Sequence, residues 1–164
     1  MRLVFDIETN GLLPKVDTIH CIVAFDIDTQ EVHQFGPSAV DAGLDFINKA
    51  DLLVGHNICG FDLPVIQHVK GVDLRDIDTI DTIAVSRAIF VSTLRDADFK
   101  RLRHGFPKQL VGRHSLESWG HRLGCEKGEF ALTTDWQEFS QEMLDYCVQD
   151  VRVNARLFQF LADF

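Results

Sequence analysis

The stretch Arg2-Leu3-Val4-Phe5-Asp6-Ile7-Glu8-Thr9-Asn10-Gly11 decides how this chain is read. Its first residues are apolar and β-prone, and the turn signal Asn10-Gly11, with Pro14 behind it, ends the run. A strand over Arg2 to Ile7 is therefore expected. Successive strand side chains alternate between faces, so Asp6 and Glu8, two apart, emerge on the same side at that strand's end.

Working outward, Ile19 to Phe25 and Glu31 to Phe35 flank the polar segment Asp26 to Gln30, which suits an antiparallel hairpin. Ser38 is placed to cap a helix through about Lys49, because Val40, Leu44 and Ile47 recur at helical spacing. Leu52-Leu53-Val54 reads as a buried strand ending at Gly55-His56-Asn57. A helix follows from near Phe61 to Val69, with Pro64 in its first turn and Gly71 beyond its end, which puts Asp62 near its N-terminus. The run Asp73 to Asp81 reads as a half-buried element with a solvated face. Asp81 to Phe90 and Ser115 to Leu123 read as helices joined by a polar loop, and a long final helix runs from about Ser140 to Phe160. Repeats, linkers and low-complexity tracts are absent from the sequence, so residues 1–164 are expected to form one mixed α/β domain.

The final helix places Tyr146 and Asp150 one turn apart on one face. Asp6, Glu8, Asp62 and Asp150 are thus four carboxylates at a strand end, a helix start and a helix face, with a phenol beside the last. Phosphodiester hydrolysis needs a deprotonated water and neutralised charge on the attacking and leaving oxygens, which two metal ions about 4 Å apart supply. Carboxylate and water oxygens are the donors Mg²⁺ prefers. Either acidic motif alone is usually structural, a solvated strand end or a core tyrosine beside a surface acid; their joint occurrence in this order favours a metal-dependent nuclease.

The formal charge of −9 argues against tight duplex binding, which gains affinity by neutralising phosphates. It is compatible with an enzyme gripping a few nucleotides at one end, where bound metal offsets part of the acidity. Four dispersed cysteines, Cys21, Cys59, Cys125 and Cys147, form no C-x-x-C pair and suit a reduced interior. Neither a signal core nor a run of about 18 apolar residues occurs, so a soluble protein of the cytoplasm is expected, that of the host cell if phage-encoded.

Asp6-Ile7-Glu8-Thr9, Asn57 to Asp62 and Tyr146-Cys147-Val148-Gln149-Asp150 resemble the three motifs of the exonuclease superfamily named for its four acids, D-E-D-D. The tyrosine branch is the one matched, since the position where the histidine branch carries its His is Asp145. With Asp81-Thr82 and Arg113 to Gly124, the similarity extends over the chain to the proofreading domain of phage replicative family A DNA polymerases. It implies a ribonuclease-H-like fold, a mixed sheet of about five strands flanked by helices. It also implies 3′-to-5′ hydrolysis of single-stranded or frayed DNA ends with release of nucleoside 5′-monophosphates, using two Mg²⁺ or Mn²⁺ ions.

By that resemblance Asp6, Glu8 and Asp150 ligate the first metal, with Asp6 bridging to a second held by Asp62, and Tyr146 orients the attacking water. Leu12 falls where the family places a wedge against the terminal base, Asn57 where the scissile strand is contacted, and Thr9 where the terminal sugar lies. The expected partners are DNA 3′ ends and a fused or separately encoded polymerase. An exoribonuclease on the same scaffold and a non-catalytic polymerase-associated binding module are the alternatives.

Three further features have two readings each. Arg95 to His114 concentrates basic residues that either guide a strand's phosphates or solvate a loop. Trp119 and Trp136 are either base-stacking platforms or, as aromatics more often are, core. His56 and Cys59 lack the second pair that a structural zinc site needs.

Overall fold

The computed structural model describes residues 1–125 and 136–164. A five-stranded sheet is built from β1 (Arg2–Thr9), β2 (Ile19–Asp26), β3 (Val32–Phe35), β4 (Leu52–Gly55) and β5 (Asp78–Asp81), in the order β3-β2-β1-β4-β5. The pairs β1/β2 and β2/β3 are antiparallel, whereas β1/β4 and β4/β5 are parallel. The mixed sheet of the sequence reading is thus present, with β1 at its centre. Centrality explains its apolar run: both faces of β1 are covered, so hydrophobes on both sides are buried.

Six α-helices flank the sheet among the described residues: α1 (Val40–Ile47), α2 (Asp62–Lys70), α3 (Thr82–Ile89), α4 (Thr93–Arg101), α5 (Leu116–Leu123) and α6 (Gln141–Ala162). Leu3, Phe5 and Ile7 of β1 join Ile22 and Ala24 of β2 in a layer closed by Leu44 and Ile47 of α1 and Val65 and Ile66 of α2. Val4 and Val23 point the other way, against Leu144, Cys147 and Val151 of α6. A third cluster joins Leu94, Trp119, Val153 and Leu157 beneath α4 and α5. Trp119 is only 2% exposed, so of its two readings the core one holds.

The half-buried element expected before Asp81 is a strand, β5, and Asp81 ends it and caps α3, its carboxylate accepting from the Ile83 amide. Two local expectations are corrected. Ser38 lies within a 3₁₀ turn over Pro37–Ala39 and does not cap α1. The region expected as a loop after Phe90 contains α4 and the 3₁₀ turns Leu102–His104 and Lys108–Leu110. The residues Thr93 to Arg101 lack an apolar stripe, so periodicity could not announce this helix.

A buried ion pair anchors α4. Asp98 accepts two bonds from the Arg122 guanidinium, at 3.0 and 2.7 Å, and one from the Gly112 amide at 2.9 Å. Burial pushes the Asp98 carboxyl up, but these donors outweigh it and hold the group below the usual carboxylate range.

Candidate active site

At the C-terminal end of β1 the face turned toward α6 changes from apolar to acidic, with Val4 followed by Asp6 and Glu8. A register shift between Glu8 and Thr9 interrupts the pairing with β2 there, the kind of irregularity that re-aims side chains at a sheet's end. Donor atoms of Asp6, Glu8 and Cys147 lie within 4.8 Å of one another. Cys147 Sγ stands 3.6 Å from the Asp6 carbonyl and 3.7 Å from Asp6 Oδ2. Burial, then the Cys21 thiol and the Asp6 charge, push the Cys147 thiol well above its ordinary range. In the metal-free protein it is therefore a neutral S–H that donates toward Asp6.

Asp62 opens α2 and is 3% exposed. Burial raises its carboxyl pKa well above the usual range and the Asp6 charge adds to this, while the backbone amides of Asp62 and Ile7 oppose it. The Asp6 charge is felt because α2 begins beside the end of β1. Asp62 Oδ1 has no hydrogen-bond partner among the described residues. A buried carboxylate oxygen without a donor is costly on its own and is satisfied by a cation. The donor set, carboxylate oxygens at a partly enclosed strand end, fits a hard divalent ion.

From the opposite side α6 supplies Tyr146 and Asp150. Cys147, which touches Asp6, fixes the register of this helix over β1, and Asp150 follows one turn later, buried. The structure thus draws Asp6 and Glu8 into one cluster and sets Asp62 and Asp150 outside that 4.8 Å group, on α2 and α6.

The turn after β4 is shaped by close approach. A Cβ on Gly55 would lie 2.5 Å from Ile58 Cβ, so only glycine lets the chain fold back here. Asn57 adopts the left-handed conformation at φ 66°, which asparagine tolerates. The Asp81 carboxylate accepts from the amides of Asn57 at 2.9 Å and Cys59 at 3.2 Å, tying the turn to the start of α3. Asn57 itself is exposed at the edge of the site. His56 Nδ1 bonds Thr82 Oγ1 at 2.9 Å, which in turn reaches Asn154 of α6 at 2.8 Å, so this histidine serves the fold.

Beside the acids lies a cavity of 400 Å³ bounded by Glu8, Thr9, Leu12, Phe61 and Trp136. Leu12 is 72% exposed at its lip, while Thr9 is buried with its hydroxyl donating to the Gly11 carbonyl. The Trp136 ring meets Tyr146 edge to face at 6.4 Å, and its carbonyl accepts at 3.0 Å from His20. Trp136 therefore lines the cavity beside the acids, with Cys147 against Asp6 and Asp81 behind the Asn57 turn. Nothing in the sequence marked Trp136 above Trp119, since only tertiary contact separates them.

A family profile described as the RNase H superfamily matches residues 3–162. The chain belongs to this superfamily. Two curated proteins, the DNA-directed DNA polymerases of Enterobacteria phage T3 and Escherichia phage T7, are each 36% identical over 97% of the chain. The match occupies 26% of each polymerase, so this RNase H superfamily chain spans about a quarter of the length of those relatives. Among solved structures, Brucella melitensis NrnC with bound Mg²⁺ superposes with a TM-score of 0.66 at 20% identity, over 99% of this chain and 72% of that one. Escherichia coli RNase D gives 0.64 at 16% identity over 98% of this chain and 38% of its own. The family B DNA polymerase of Pyrobaculum calidifontis gives 0.62 at 19% identity, over 98% and 24%. At such identities the structural likenesses concern the fold, which is the ribonuclease-H-like fold of the sequence reading. No helix among the described residues is long and apolar enough to cross a membrane.

Proposed function

We propose that this chain is a 3′-to-5′ exonuclease domain that removes nucleoside 5′-monophosphates from single-stranded or frayed DNA ends. The observation that carries the reading is the meeting of two acid-bearing elements at one strand end: Asp6 and Glu8 of β1 against the α6 face that bears Tyr146 and Asp150. Asp62, buried and short of a donor, supports it from the third side. The likeness to two phage DNA polymerases supports DNA as the substrate.

Asp6, Glu8, Asp62 and Asp150 are the residues that would hold two divalent ions, Mg²⁺ or Mn²⁺, which when bound supply an activated water and neutralise phosphate charge. The chain's own residues do the positioning. Tyr146 offers a phenol one turn from Asp150 that accepts or donates a hydrogen bond to the attacking water. Leu12, exposed at the cavity lip, is set to wedge against the terminal base, with Trp136 and Phe61 as the apolar wall behind it. Thr9 would face the terminal sugar and Asn57 the scissile strand. The domain takes residues 1–164 as one unit, and a DNA polymerase, fused or separate, is the partner proposed.

Matched DNA and RNA oligonucleotides test substrate class. The account expects Mg²⁺-dependent release of nucleoside monophosphates from DNA; faster digestion of the RNA would move the assignment to an exoribonuclease, since the four acids do not read the 2′-hydroxyl.

A further inference from the structure

The basic segment singled out in the sequence has a defined shape. Between the end of α3 and α4 lies a groove of 530 Å³ whose walls include Phe90, Val91, Arg95, Phe99, Lys108 and His114. Val91 is 82% exposed and Phe99 48%, both among the large hydrophobic side chains that the described residues leave at the surface. The Arg95 guanidinium stands over the Phe99 ring, 5.6 Å from its centroid. Among the described residues no carboxylate pairs with Arg95 or Lys108, whereas nearby Arg101 lies 3.6 Å from the Asp98 carboxylate and Arg122 is buried against it. The Asp98, Arg122 and Gly112 bonds hold α4 and the Lys108 turn in fixed relation, so the groove is built and does not depend on loose side chains alone. His114, bonded to Ser86 and lowered in pKa first by burial and then by Arg122, adds no positive charge at neutral pH.

Two unpaired cations beside an exposed aromatic face, in a chain of charge −9, complement a ligand that is both anionic and aromatic. Single-stranded nucleic acid has that chemistry: phosphates for the cations and π-faces for the ring. The groove also lies at the far end of the helix that starts at the acidic site. Asp81 caps α3 beside Asn57 and Cys59, and the eight residues of α3 lead to Phe90. At 1.5 Å per residue that is about 12 Å. A stacked strand rises about 3.4 Å per nucleotide, so the groove is reached about four nucleotides from the acids.

We propose that this groove is a second binding site for single-stranded nucleic acid, in which Arg95 and Lys108 hold phosphates and Phe99 stacks a base upstream of the terminal nucleotides. The inference rests on the nuclease reading for its choice of ligand, and its test separates the two. Fluorescence anisotropy of the cleavage-dead Asp6→Ala protein is measured with oligodeoxythymidines of three and fifteen nucleotides. The fifteen-mer is expected to bind roughly tenfold or more tightly than the trimer. Arg95→Glu with Lys108→Glu should remove most of that advantage and lower the salt slope by about 1.4, the single-strand value for two phosphates. Phe99→Ala should weaken the fifteen-mer roughly tenfold, in the range of one stacked base, and leave the trimer unchanged.

Arg152→Glu with Arg156→Glu, a basic pair on the outer face of α6, serves as the reference. An equal loss there would reduce the effect to general charge and overturn the proposal, as would unchanged fifteen-mer binding in the groove variants. Cleavage of the trimer by protein carrying only the groove changes should match the unaltered chain. If the unaltered chain cleaves nothing while the length-dependent binding persists, the nuclease reading fails and the groove stands.

Discussion

Asp62 is a carboxylate held where water cannot solvate it, next to a second carboxylate. With its pKa raised above the ordinary value, the folded chain binds a proton that the unfolded chain has released. Stability of the metal-free protein therefore falls as pH rises from the unfolded value of Asp62 through its folded one, and the penalty is complete above that. Asp62→Asn removes it: in EDTA at neutral pH the variant should melt a few degrees higher than the unaltered chain, on the scale of about 2–4 °C per kcal/mol. The two melting temperatures should converge at acidic pH. Millimolar Mg²⁺ should reverse the order by stabilising the chain that retains Asp62 more than the variant, which keeps only Asp6, Glu8 and Asp150, because a ligand bound to the native state alone raises its stability. Calorimetric scans at several pH values read all three.

Tyr146 belongs to the same scale. Tyr146→Phe keeps the ring against Trp136 and removes the hydroxyl, so kcat should drop about 10²-fold with KM little changed, as for loss of a positioned proton-handling group. A change confined to KM in steady-state assays would assign the tyrosine to substrate binding instead. That Asp6 and Glu8 share one face of β1, and Tyr146 and Asp150 one face of α6, could be read from the chain because strand alternation and helical spacing are periodic rules. Cys147 and Trp136 could not, since their contacts with Asp6 and Tyr146 cross more than a hundred residues or arise from packing alone.

Among elements, those with strong periodic or apolar patterns were legible: β1, the β2–β3 hairpin, α1, α2, α5 and α6 lie close to where the sequence put them. The strand β5 was legible as a half-buried element with a solvated face, but its Asp78 and Asp81 beside Thr79 and Ile80 left its type open until β4 pairs with it. Helix α4 was hidden for a different reason. Its stability resides in Leu94 and in the buried Asp98, whose partner Arg122 is on α5. Arg122→Ala leaves that carboxylate buried and uncompensated and should cost about 3–5 kcal/mol in urea unfolding. Changing Arg122 and Asp98 together to apolar residues should recover a large part of the loss. Gly55 carries the turn that aims Asn57; Gly55→Ala forces Ile58 away and should destabilise the chain and lower activity together.

For the whole molecule, a sheet with β1 at its centre shows how an acidic protein could act on a polyanion, as the proposed function requires. Asp6 and Glu8 are gathered at one end of that strand, where bound cations would offset them, and basic groups of the groove with no carboxylate partner among the described residues lie along α3 from it. The overall charge therefore says little about the local surface a strand meets. Fold class was legible from the order of strands and helices, as was the placement of the four acids at a strand end, a helix start and a helix face. The groove was not, because its residues are brought together by turns that carry no periodic signal.

Whether these acids cut a strand from its 3′ end with metal is read by incubating the chain with a 5′-labelled single-stranded DNA, with and without Mg²⁺, and resolving the products at single-nucleotide resolution, with Asp150→Ala alongside. A ladder of labelled products shortening one nucleotide at a time is expected, only with metal and only with Asp150 present. Intact substrate in both Mg²⁺ and Mn²⁺ from folded protein, or release of the labelled 5′ nucleotide first, would contradict the proposed function.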